Sequence, residues 1–133
     1  MFYDFSFTIP ANTPEKTPEK LKCKLCHGII HRVEVGFPPG CAGLVYCVIN
    51  EGLHQHWPTN PDGAFNFDDY TIAFNEYYQL FSAPYTLTLQ GWSEDDTYDH
   101  TIEVRIGILP IDVLMPEETF IQAFKKLLQR LRL

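Results

Sequence analysis

Between Val33 and Val104 the chain has no lysine and no arginine, although eleven of its 17 Asp and Glu residues lie there. All 10 basic residues fall outside that window: Lys16, Lys20, Lys22, Lys24 and Arg32 before it, Arg105, Lys125, Lys126, Arg130 and Arg132 after it. Surfaces of one sign repel themselves, so solvated domains ordinarily mix the two. An acidic body between basic ends favours assembly, with the ends of one copy meeting the body of a neighbour. A formal net charge of -7 argues against duplex DNA or an anionic membrane as main partner, because both select clustered Lys and Arg. No apolar run nears the roughly 18 residues of a membrane span. The start, Met1-Phe2-Tyr3-Asp4-Phe5-Ser6-Phe7, lacks a basic n-region and a small-residue cleavage site, so it is not expected to act as a secretory signal. A nucleophile elbow, a phosphate loop and an HExxH helix are also absent, and the chain is not expected to be an enzyme.

What is present reads as one mostly β domain with two distinctive ends. A hydrophobic content of 45% over 133 residues suffices for a single core and excludes wholesale disorder. Residues 1–20 read as an extended N-terminal arm. Phe2, Tyr3, Phe5, Phe7 and Ile9 form an apolar tip, followed by the tandem octet Thr13-Pro14-Glu15-Lys16 and Thr17-Pro18-Glu19-Lys20. Proline at every fourth position forbids a stable helix and favours an extended strap, whose apolar tip is expected to seat on a neighbouring subunit. Over residues 21–110 apolar and polar residues alternate, most clearly at Ile102, Val104, Ile106 and Ile108 against Thr101, Glu103 and Arg105. Period two is the mark of half-buried antiparallel strands. Turn chemistry at Pro38-Pro39-Gly40, Asn60-Pro61-Asp62-Gly63, Ser82-Ala83-Pro84 and the acidic loop 93–99 divides them into seven or eight strands. The expected fold is an antiparallel, jelly-roll-like β-sandwich.

Residues 111–133 change period and read as a C-terminal amphipathic α-helix. Glu117 and Glu118 open it at the positive end of its dipole, and Lys125, Lys126, Arg130 and Arg132 crowd the negative end. Phe120, Phe124, Leu127, Leu128 and Leu131 fall on one stripe. That stripe can bury itself on its own sandwich, on a partner or on a membrane surface.

Several motifs invite cofactors. Cys23-Lys24-Leu25-Cys26-His27 matches the c-type haem attachment pattern, but it falls within an alternating strand rather than before a helix. Zinc on Cys23, Cys26, Cys41 and Cys47 meets a similar objection, since Cys23 and Cys26 point to opposite faces of an extended strand. Cys47 alternates with Val45 and Ile49 as an apolar filler. His54 and His56 form a possible metal pair without a third ligand, and with Trp57 they read better as an aromatic surface patch. The carboxylates of 93–99 could gather calcium but lack the spacing of an EF-hand loop. No cofactor is therefore expected. Haem or metal on Cys23, Cys26 and His27 stays an alternative.

The block Gly28-Ile29-Ile30-His31-Arg32-Val33-Glu34-Val35-Gly36-Phe37-Pro38-Pro39-Gly40-Cys41-Ala42-Gly43-Leu44-Val45 and the block Asp95-Asp96-Thr97-Tyr98-Asp99-His100-Thr101-Ile102, with His56-Trp57-Pro58-Thr59-Asn60-Pro61-Asp62-Gly63 between them, resemble small β-sandwich structural proteins of phage-like virions. Such proteins decorate or reinforce a capsid, and the likeness covers roughly residues 20–110. It implies a non-enzymatic virion subunit, a homo-oligomer (a trimer is possible) and contact with a shell protein. A carbohydrate- or ligand-binding sandwich, with Trp57, Trp92 and the tyrosines as a stacking surface, is the alternative, in which case the protein would be cytoplasmic rather than part of a virion.

Overall fold

The computed structural model describes residues 1–110 and 117–131, with the side chains of 117–120 left aside. Eight strands run in order: β1 (Phe2–Ile9), β2 (Glu19–Lys24), β3 (Gly28–Phe37), β4 (Val45–Glu51), β5 (His54–Trp57), β6 (Tyr70–Leu80), β7 (Thr86–Ser93) and β8 (His100–Leu109). Among the described residues one helix, α1 (Glu117–Leu131), follows. The strands form two antiparallel sheets, β1-β8-β3-β6 and β2-β7-β4-β5.

That order has a simple origin. β1 pairs with β8, β2 with β7, β3 with β6 and β4 with β5, as in one long hairpin folded at the β4–β5 turn. Rolling the hairpin adds the pairings of β3 with β8 and β4 with β7 and brings the two sheets face to face. This is the eight-stranded jelly roll, and it makes the sandwich expected from the alternation.

The core lies between the sheets. Ile102, Val104, Ile106 and Ile108 of β8 are fully buried, as are Val33 and Val35 of β3, Cys47 and Ile49 of β4 and Leu87 and Leu89 of β7. Gly91 on β7 lets the sheets approach at one end. A Cβ there would collide with the Ile9 side chain and come within 2.9 Å of the Phe7 ring. On the outer face of the first sheet, Arg105 lies 3.6 Å from both Asp4 and Glu34, and Arg32 lies 3.3 Å from Glu34. Some of the few cations flanking the acidic window are thus spent within the sheet.

The N-terminal arm needs correction. Residues 2–9 are extended, but they form the outermost strand of the chain's own first sheet, in register from Phe2↔Gly107 to Ile9↔His100. Ile9 is fully buried and Phe7 nearly so, while Tyr3 and Phe5 pack against the same core. The alternation of Phe5, Phe7 and Ile9 with Ser6 and Thr8 is an ordinary strand pattern, and the jelly roll needs that strand to cover β8. The crossover from β1 into the Pro-rich octet is tied down at residues 11–13. Asn12 N donates to Asp95 O at 2.8 Å, Ser93 N to Thr13 O at 2.9 Å and Ala11 N to an Asp99 carboxylate oxygen at 2.8 Å. The octet's second repeat runs into β2, so the sandwich begins at β1 and the expected boundary at residue 20 falls inside it.

Candidate functional site

With Tyr3, Phe5, Phe7 and Ile9 committed to the core, the expected interaction residues are reduced to Phe2, which is 57% exposed, and the stripe of α1. The helix forms because its residues are mainly strong helix formers, with acidic groups at the start and Arg130 in the last turn. Every described side chain from Ile121 to Leu131 is exposed. Ile121 is 42% exposed, Leu128 46%, Phe124 52%, Leu127 53% and Leu131 74%. Ile121, Leu127, Leu128 and Leu131 are therefore not buried against the sandwich, the plainest expectation for such a stripe. The side chain of Phe120 lies outside the described ones. The helix is also too short and too charged to cross a membrane.

A second apolar surface, which the alternation pattern did not reveal, lies along β6. This strand is outermost in its sheet and has eleven residues, whereas β5, outermost in the facing sheet, has four. Past the end of β5, among the described residues, only Phe65, bridged to Cys47 of β4 and stacked on Phe74 at 5.9 Å, continues the facing edge, so the sandwich margin is partly covered. Inward-facing Ile72, Phe74 and Tyr78 are only partly buried, while Val33 and Val35 beside them on β3 are sealed. Phe67 and Tyr70 stack obliquely at 4.8 Å and are 50% and 56% exposed, and Tyr77 is 63% exposed.

Polar bonds close the other end of this margin. The Tyr78 hydroxyl donates to Glu51, and Trp57 Nε1 donates to Glu76 at 2.9 Å. The His56 ring lies 4.0 Å from that of Tyr78 and 4.3 Å from that of Trp57. Burial holds His56 below the usual imidazole range, and burial together with Glu51 pushes Tyr78 up to about 12. Both carboxylates serve as acceptors that bind β4, β5 and β6 together. Trp57, 3% exposed, belongs to the core, which corrects its reading as part of a surface patch or stacking platform. Trp92 instead stacks on Tyr46 at 5.6 Å, its direct cross-strand partner.

The cysteines are divided. Cys23, Cys41 and Cys47 are fully buried. Cys26 is partly exposed, with its sulfur 3.9 Å from that of Met1. The His27 ring stacks on Phe81 at 4.6 Å and meets the edge of Tyr85. Burial pushes Cys23 up to about 12, burial with Asp68 and Asp95 pushes Cys41 up to about 11, and burial raises Cys47. Cys23 would have to leave the core to meet a haem vinyl group. Among the described residues no three His, Cys, Asp or Glu side chains converge on a metal position. In the native protein a thiol reagent at pH 8 is expected to modify one cysteine quickly, Cys26, and the other three only on unfolding. Fast reaction of two or more, or a Soret band after haem incubation, would contradict this arrangement.

The acidic loop is organised by its own hydrogen bonds. Asp95 accepts from His100 Nε2 at 2.7 Å, from Thr97 N at 2.9 Å and from Tyr98 N at 3.3 Å. These donors, His100 first, hold its carboxyl below the ordinary range. A depressed carboxyl stabilises the fold above its unfolded pKa and loses that contribution as pH falls through the folded value. Stability is thus expected to decline below about pH 4, and Asp95→Asn is expected to flatten that part of a melting-temperature profile between pH 2.5 and 6. An unchanged profile would show that the loop does not depend on this charge.

No protein-family model matches the chain, and no curated protein matches it.

Proposed function

We propose that this chain is a non-enzymatic structural subunit of a larger assembly, a capsid decoration or minor capsid protein of a virion. The observation that carries this reading is the exposed apolar stripe of α1. Taking a Leu or Ile side chain from half exposed to buried is worth roughly 1 kcal/mol, so four such residues give a strong drive toward a partner surface. The jelly roll supports the reading in kind, since it is a common scaffold of viral capsid subunits, although it also serves lectins and cupins and does not assign a function alone. Opposite charges on body and helix add orientation and salt dependence to the contact. The binding-module alternative is weakened by the burial of Trp57 and keeps only the Tyr46–Trp92 pair.

The test is location. An antibody raised against the chain is expected to label gradient-purified particles from the source cells, with the protein present at a fixed copy number per particle. Recovery only in the particle-free fraction would overturn the virion reading.

A further inference from the structure

We propose that α1 of one copy docks along the β6 margin of a second copy. This inference rests on the assembly reading and names the partner surface.

Three observations meet here. The first is that donor and acceptor are both left open within one chain: Ile121, Leu127, Leu128 and Leu131 on the helix, and Phe67 and Tyr70 on the margin, are all more than two-fifths exposed. The second is charge. The helix carries Lys125, Lys126 and Arg130. The margin belongs to the segment without lysine or arginine, with Asp68 and Asp69 between Phe67 and Tyr70, Glu76 on β6 itself and Glu51 bonded to Tyr78. Arg32 does reach Asn75 on β6, but it is paired with Glu34. The basic second half of the helix, Lys125 to Arg130, fits this acidic, half-apolar margin, and Glu117 and Glu118 lie at its other end. The third is length. Fifteen helical residues span about 22 Å, and Tyr70 to Glu76, which share the inward face of the strand, span about 20 Å.

Each copy then has one donor and one acceptor. Such a contact either propagates or closes by rotation, so a ring or a mutual exchange of helices completes it.

Two full-length variants separate the halves of the contact. Leu127→Glu with Leu128→Glu spoils the donor, and Phe67→Lys with Tyr70→Lys spoils the acceptor. All four positions are at least 46% exposed, and far-UV circular dichroism checks the fold. Each variant alone is expected to self-associate at least ~10-fold more weakly than the unaltered chain. Mixed, they are expected to form a 1:1 heterodimer by light scattering, from the intact helix of one and the intact margin of the other, weakening as salt rises. If the acceptor variant alone still oligomerises and the mixture gains nothing, the helices bundle with each other. Docking on β6 is then wrong, while assembly stands. If the unaltered chain and the mixture stay monomeric, and the chain instead binds vesicles of anionic lipid, the stripe is a lipid-binding face. Both the docking proposal and self-assembly then fail.

Discussion

Removing residues 1–18 is expected to unfold the protein rather than release monomers from an assembly. The deletion takes away β1, which pairs with β8 along its full length and is fastened on the outer face by Ser6 to Glu103 at 2.7 Å and Thr8 to Thr101 at 2.8 Å. It also strips Phe7 and Ile9 from the core and exposes β8, whose inward residues are fully buried. Large-to-small changes at such sites cost about 2–5 kcal/mol each, against a total stability of about 5–15 kcal/mol for a domain. The single change Ile9→Ala is expected to lower the urea midpoint clearly, and the deletion to abolish the cooperative transition. A truncated chain with an intact transition would restore the arm as a separate strap.

Replacing Leu127 and Leu128 by glutamate is expected to have the opposite profile. The two side chains are 53% and 46% exposed, so the sandwich's unfolding midpoint should be unchanged within the error of a urea titration. Self-association should be lost, because two charges would have to be desolvated within the contact. A core change such as Ile106→Glu would lower stability and association together. Loss of association without loss of stability therefore identifies the stripe as an interface. A lowered midpoint in the double variant would place the helix on its own sandwich after all.

Much of the fold was legible where the physics is local. The alternation of Ile102, Val104, Ile106 and Ile108 marked β8, and the turn residues marked most strand ends, because side-chain period and backbone turn preference act within a few residues. The reading of residues 1–20 failed for a non-local reason. Phe5, Phe7 and Ile9 alternate like any strand, but nothing nearby shows that their partner is β8, about a hundred residues away. The Pro-rich octet then looked like a tether, although it leads into β2 from a crossover held by the 93–99 loop at Ala11, Asn12 and Thr13. Trp57 was misplaced for a related reason, since only the pairing Ile49↔Trp57 turns it inward. The α1 stripe was visible from its spacing. The β6 margin was not, because it arises from the unequal lengths of two strands in different sheets.

The most direct test of the assembly account is the native mass of the unaltered full-length chain by light scattering, from micromolar to high micromolar concentration, at low and at molar salt. A defined oligomer at low salt that loosens as salt rises is the predicted result. A 15.4 kDa monomer under every condition would contradict the claim that copies of this chain assemble through helix and margin.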